Sequence, residues 1–288
     1  MNIDNIKNIT VCGAGTMGHG IAQVCAQNCF SVRLYDIKEE FIHRGKTNII
    51  KNLDKGILRG KVTEEEKTQC VNNLIFTTNL EEACKNSHLI IEAIPEKIDL
   101  KHALLKQVES FVSANSIIGT NTSSISISKI ASVLQNPQRV IGMHFFNPVH
   151  IMQLLELVVG EETSEQTLNT SKEFSLKINK ISIKVKDIPG FATSRLGVAL
   201  GMEAIRMVED GVASPEDIDT AMVLGYRHPV GPLKLTDMVG LDVRMNIGTY
   251  LAKELNNPAF EPPQLMKDMV MRGTLGKKSG QGFYNWKK

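Results

Sequence analysis

The sequence predicts an α/β domain built on a mostly parallel sheet, followed by an all-α C-terminal domain. The first half alternates short apolar runs with helical patterns, as strands joined by crossover helices do. A glycine-rich loop, Gly13-Ala14-Gly15-Thr16-Met17-Gly18, separates the first apolar run from the first helical pattern. Beyond the turn Asp187-Ile188-Pro189-Gly190 the strand-like runs stop, while helical periodicity continues. A boundary is therefore expected near Pro189, giving domains 1–187 and 188–288.

Ile9-Thr10-Val11-Cys12 reads as the opening strand, and the helix after the glycine loop runs through Ile21-Ala22-Gln23-Val24. Ser31-Val32-Arg33-Leu34-Tyr35 is the next strand and ends at Asp36. A long helix follows to about residue 60. A second opens at Thr63, an N-cap with Glu64, Glu65 and Glu66 in the first turn. Further strands are expected at 74–77, 88–93, 116–119, 140–145, 154–159 and 181–185. The last of these crowd together, so the far side of the sheet is open to an antiparallel pair. Helices are expected over 191–209, 215–224, 242–255 and 263–271. Most of the twelve methionines lie in this half, which suits adaptable helix packing or a subunit interface.

At 288 residues the chain has ample length for two cores. Its formal charge of +2, from 33 basic and 31 acidic residues, exerts no global pull towards nucleic acid or acidic lipid. No apolar run is long enough to span a bilayer, and no basic-then-apolar leader opens the chain, so a cytoplasmic protein is expected. The five cysteines are odd in number and show no metal-type pairing, which reads as reduced structural thiols and no metal.

The loop fits G-x-G-x-x-G between a strand and a helix. Gly13 permits the tight turn, Gly15 lets backbone approach a pyrophosphate, and Gly18 lets helix and strand pack closely. Thr16 and Met17 lie at the helix entrance, whose N–H groups face phosphate. Asp36, at the end of the next strand, would accept bonds from ribose hydroxyls and repel a 2′-phosphate. A Rossmann-type dinucleotide-binding domain that takes NAD rather than NADP is therefore expected; FAD stays open as an alternative.

A second group of residues carries chemistry. His144 sits where an apolar strand ends, and Glu156 is a lone carboxylate inside the next apolar strand. A buried carboxylate needs a partner. If the chain reverses at Asn147-Pro148, His144 reaches Glu156 and the pair forms a general acid/base unit. The polar run Asn121-Thr122-Ser123-Ser124 follows another apolar strand. Lys51, Lys55 and Arg59, spaced by four, line one face of the long helix. By itself such a stripe is more often a solvated face. It would also suit phosphates at the end of a long substrate arm.

Together these segments resemble the 3-hydroxyacyl-CoA dehydrogenase family, most closely its short-chain bacterial branch, over nearly the whole chain. The pieces that carry the likeness include Asn121-Thr122-Ser123-Ser124, Gly142-Met143-His144-Phe145-Phe146-Asn147-Pro148, Pro189-Gly190-Phe191, Gly231-Pro232 and the tail from Gly276 to Tyr284. The resemblance implies an NAD-dependent oxidoreductase of butanoate and fatty acid metabolism. It would interconvert (S)-3-hydroxyacyl-CoA, the four-carbon thioester first, and 3-ketoacyl-CoA. It implies His144 as the base, Glu156 as its orienting partner, and Ser123 and Asn147 as contacts to both substrate and nicotinamide. Glu96, Lys101 and Lys278 resemble cofactor contacts, and Lys55 and Arg59 contacts to coenzyme A. Family members dimerise through the helical domain, whose cleft with the first closes over substrate. The chain departs from the family at Ser194, where Asn is usual at a substrate-binding position, at His150 for proline and at Gln153 for lysine. Oxidation of another 3-hydroxy acid, or a nucleotide-binding sensing role, are the rival readings. The basic stripe and the intact set His144, Glu156, Ser123 and Asn147 argue against them.

Overall fold

The computed structural model describes residues 2–287. The chain divides into two compact units, residues 1–187 and 188–288.

Among the described residues of the first unit, eight strands form one sheet: β1 (Asn8–Cys12), β2 (Ser31–Tyr35), β3 (Leu74–Thr77), β4 (Leu89–Glu92), β5 (Ile117–Thr120), β6 (Val140–Phe145), β7 (Leu154–Val159) and β8 (Ile181–Lys186). Their order is β3-β2-β1-β4-β5-β6-β7-β8. Every neighbouring pair is parallel except β6 and β7, which run antiparallel. The centre reads as near-continuous apolar sequence because helices cover both faces; β4 and β5 are buried at every position. The chain passes from β1 outwards to β2 and β3, then returns to β4 on the other side of β1. That reversal opens a crevice at the carboxyl ends of β1 and β4, where open α/β sheets bind ligands.

Helices α1 (Gly18–Gln27), α2 (Glu39–Leu58), α3 (Glu64–Asn72), α4 (Leu80–Cys84), α5 (Ile98–Phe111), α6 (Ile127–Ala131) and α7 (Glu165–Lys177) complete the unit. Helix α3 opens with a full capping box: the Thr63 hydroxyl accepts the Glu66 N–H at 3.1 Å, and Glu66 accepts the Thr63 N–H at 2.8 Å. Helix α2 ends at Leu58, so Arg59 is its C-cap rather than a third position on its face. Asp187 closes the unit by accepting the N–H groups of Ile127 and Ser128 at the start of α6.

The second unit holds α8 (Thr193–Glu209), α9 (Pro215–Thr220), α10 (Pro232–Val239), α11 (Leu241–Leu255) and α12 (Gln264–Met271). Val198, Met202 and Ile205 from α8 pack with Leu233, Leu251 and Met266 in its core. The helix expected over 215–224 gives way after Thr220 to a π-helical turn, Ala221–Gly225. Helix α10 was not expected. Its first N–H groups, Leu233 and Lys234, donate to Asp219 at 2.8 and 2.9 Å, so the cap comes from a distant residue. A Cβ at Gly231 would lie 2.2 Å from that carboxylate, which explains the glycine before Pro232. Buried Asp237 gathers the tail, accepting the N–H groups of Phe283 and Tyr284 and the indole N–H of Trp286. Gly276 and Gly282 pass so close to Asp237 that a Cβ on either would collide with it.

Candidate active site

The glycine loop leaves β1 and enters α1 at the crevice. Gly13 has φ +105°, and a Cβ there would approach the Ala93 carbonyl to 2.6 Å. A Cβ at Gly18 would strike the Gly13 carbonyl. At Gly15, by contrast, nothing lies within 4 Å, so the loop is open on the side where a pyrophosphate approaches. No side chain caps the start of α1 at Met17, and Thr16 beside it is exposed, so the helix amides face outwards.

Asp36 closes β2 and ties the loop down. Its Oδ2 accepts the Ala14 N–H and its Oδ1 the Ile37 N–H, both at 2.7 Å. Each carboxylate oxygen keeps a second lone pair for a ribose hydroxyl. A cavity of about 590 Å³ runs along this loop, lined in part by Gly15, Asp36, Ile37, Leu100 and Leu104. Its size and apolar walls suit an adenine nucleoside. These residues fit a bound dinucleotide.

On the same edge of the sheet, the antiparallel register sets His144 opposite Glu156. His144 Nδ1 lies 2.6 Å from Glu156 Oε2, and the carboxylate is fully buried. The short contact in a dry setting makes this a charge-assisted pair. It fixes the orientation of the ring. The Phe146 ring flanks the imidazole with centroids 4.5 Å apart. Asn147, next in the chain, is exposed in the turn.

Ser123 is partly exposed after β5, in a loop held by Glu96. Glu96 Oε1 accepts the Thr122 hydroxyl at 2.5 Å, the N–H groups of Ser123 and Ser124 at 3.0 and 3.1 Å, and the Ser124 hydroxyl at 3.1 Å. Burial raises its pKa, but the Lys101 charge and these donors outweigh that, and its carboxyl sits below the usual range. Lys101 is itself fully buried. Its ammonium meets both oxygens of Glu92 at 2.8 and 2.9 Å and Glu96 Oε2 at 3.2 Å. Three donors thus face three carboxylate oxygens. Glu92 was not singled out from the sequence, although a lone acid closing the run Leu89-Ile90-Ile91 gives the signal that marked Glu156.

Lys55 and Arg59 are exposed at the end of α2. His150, at the far side of the turn after β6, feels both: burial first, then the charges of His19, Lys180, Arg59 and Lys55, hold its imidazole below the ordinary value. In the second unit, Ser194 lies in the first turn of α8, and Lys278 Nζ pairs with Asp242 Oδ2 at 2.6 Å.

A carboxylate-held imidazole on the same sheet edge as a dinucleotide loop defines a dehydrogenase. Comparison with known proteins narrows this. Residues 8–188 match the NAD binding domain of 3-hydroxyacyl-CoA dehydrogenase, and residues 190–286 match the C-terminal domain of the same enzyme. The chain therefore belongs to the 3-hydroxyacyl-CoA dehydrogenase family, and its first domain binds NAD. It is 42% identical over 281 residues to a probable 3-hydroxybutyryl-CoA dehydrogenase of Bacillus subtilis, covering 98% of both chains. It is 40% identical over 285 residues to 3-hydroxybutyryl-CoA dehydrogenase of Mycobacterium tuberculosis, covering 98% of this chain and 99% of that one. The crystal structure of (S)-3-hydroxybutyryl-CoA dehydrogenase PaaH1 from Ralstonia eutropha superposes with a TM-score of 0.94 at 41% identity, covering 98% of this chain and all of that one.

Proposed function

We propose that the protein interconverts (S)-3-hydroxybutanoyl-CoA and acetoacetyl-CoA with NAD, as a cytoplasmic homodimer. The observation that carries the reading is the 2.6 Å pairing of His144 Nδ1 with buried Glu156 in a chain of this family. The glycine loop and Asp36 would hold NAD, which would supply the acceptor for the hydride from C3. With Nδ1 committed to Glu156, His144 takes the 3-hydroxyl proton through Nε2, and Glu156 stabilises the imidazolium. In the reducing direction the imidazolium returns that proton to the forming alkoxide. Ser123 and Asn147 donate to the thioester and ketone oxygens, of which the C3 oxygen is the one where charge builds. Lys55 and Arg59 meet the coenzyme A phosphates. Glu96, Lys101 and Lys278 act on the cofactor side, and Ser194 contacts substrate. The first domain carries the dinucleotide, and the second forms the dimer. Leu224, Tyr226, Met238 and Val243 support that last role, as exposed apolar side chains on the helical unit.

A substrate panel tests the reading. Oxidation of NADH by acetoacetyl-CoA, longer 3-ketoacyl-CoAs and free acetoacetate is measured side by side. The four-carbon thioester is expected to give the highest kcat/KM. Preference for free acetoacetate would overturn the assignment.

A further inference from the structure

Lys180 is a buried cation that the proton transfer does not use. It stands just before β8 and is only 5% exposed. Its backbone N–H donates to the Ser175 carbonyl of α7 at 2.8 Å. Its ammonium donates to the carbonyls of Val149 and Met152, each at 2.6 Å, and both belong to the turn between β6 and β7. Among the described residues no carboxylate pairs with it. Burial holds its pKa below the ordinary lysine value, which Cys25 offsets in part. A cation kept dry without an anion has to be held by dipoles, and here those are the two turn carbonyls.

The same turn is pinned from other sides. The Ile151 and Met152 N–H groups donate to the Pro148 carbonyl at 2.9 and 3.0 Å, and the Gln153 carbonyl accepts the Ile181 N–H at 2.9 Å. Val149 is buried against Gly20 of α1, where a Cβ would come within 2.9 Å of its side chain. Asn147 lies between two fixed points: the Phe145 N–H, held by Asn121 at 2.8 Å, and the Val149 carbonyl, held by Lys180. Asn147 itself is exposed, so its place is set by the backbone on either side.

We propose that Lys180 is a positioning residue, whose ammonium clamps the turn through the Val149 and Met152 carbonyls and so places the Asn147 amide for the reaction. This rests on Asn147 touching substrate, as in the function proposed above. Tight placement matters, because a displacement of about 1 Å at a reacting centre can cost on the order of 100-fold in rate. Since the clamp grips carbonyls, it does not depend on which side chains occupy positions 150–152.

The test removes the ammonium from the full-length protein. Lys180→Met keeps the length of the side chain and leaves both carbonyls without that donor. Lys180→Gln, which keeps a shorter N–H donor and loses the charge, is read beside it. Thermal unfolding shows which variants keep the fold. Should Lys180→Met fail to fold, the same outcomes are read in Lys180→Gln at smaller amplitude. In Lys180→Met, kcat with acetoacetyl-CoA is expected to fall about tenfold or more, within the range expected of misplacement. The Kd for NADH, from its fluorescence, changes little, because Asp36 ties down the glycine loop separately. The midpoint of kcat against pH also holds, because strand register keeps His144 on Glu156. Combined with Asn147→Ala, the variant loses no more than Asn147→Ala alone, since the lysine acts through that residue. Hydrogen exchange at the Ile151 and Met152 amides quickens as the turn loosens.

Losses that add to those of Asn147→Ala would reduce the lysine to packing and overturn the proposal. Unchanged exchange would show that the clamp does not hold the turn, and native kcat with quickened exchange would show that holding it has no consequence; either overturns it. A shifted pH midpoint would place the damage at His144 and overturn it equally. Native protein inert towards acetoacetyl-CoA would refute the assigned reaction itself, a failure distinct from these because it needs no variant.

Discussion

The side-chain oxygen of Asn121 accepts the backbone N–H of Phe145 at 2.8 Å, stitching the start of the serine loop to the strand that carries His144. One hydrogen bond thus sets the spacing between two proposed catalytic elements. Asn121→Ala is expected to lower kcat and cost about 1–3 kcal/mol of stability, the usual penalty for orphaning a partly buried N–H. Asn121→Asp keeps the acceptor and should retain most of both. Equal loss in the two variants would show that the bond is not what matters.

His144→Gln should fold and bind NADH normally, yet lose roughly two to four orders of magnitude in kcat, the worth of a positioned general base. Glu156→Gln should lose less, because the imidazole remains but is poorly held. Near-native turnover in purified His144→Gln would refute the proton-transfer role.

Asp36 has two tasks that substitution can separate. Asp36→Asn keeps a side-chain acceptor for the Ala14 N–H but removes the charge that repels a 2′-phosphate. Fluorescence titration should show native preference for NADH over NADPH narrowing in Asp36→Asn, with NADH binding little weakened. Asp36→Ala should weaken NADH further because the loop loses its anchor. A native preference for NADPH would contradict the assignment.

Charge reversal at Lys55 and Arg59 together should raise KM for acetoacetyl-CoA strongly. KM for a truncated thioester lacking the nucleotide should hold steady. The native KM should also rise with salt, since exposed charges are screened over about 8 Å near physiological ionic strength. Equal effects on both substrates would indicate a damaged helix instead.

His150 gives a pH dependence of stability. Unfolded, its imidazole protonates near pH 6.5; folded, burial and the neighbouring cations delay protonation to lower pH. Over that interval the unfolded chain binds more protons, so this residue lowers stability as pH falls through about 6.5. His150→Gln should flatten that fall in urea midpoints measured on either side. A variant that tracks the native curve would show that His150 does not contribute.

The strands were legible because their signal is local. A strand buried on both faces must be apolar, and the runs at 140–145 and 154–159 coincide with β6 and β7. Glu156 stood out because a carboxylate has no place in such a run without a partner. What escaped was organised over distance. Helix α10 has no local Ser or Thr cap, since Asp219 supplies the cap; only Gly231-Pro232 hinted at it, proline being favoured at a first helical position. Glu92 was hidden because its role depends on Lys101, nine residues on and on another element. The break after Thr220 leaves no mark in apolar spacing.

The antiparallel pairing of β6 and β7 joins His144 to Glu156 through backbone register, and neither residue lies in the turn at 146–153. A residue gained or lost within either strand would swing one of the two side chains to the opposite face. The same insertion or deletion in the turn would leave the proton-handling pair untouched while reshaping the surroundings of Asn147 and His150. Around Asn147, which has its own proposed role, the rest of that short segment can therefore drift over evolutionary time, or be engineered, without re-pairing His144 and Glu156.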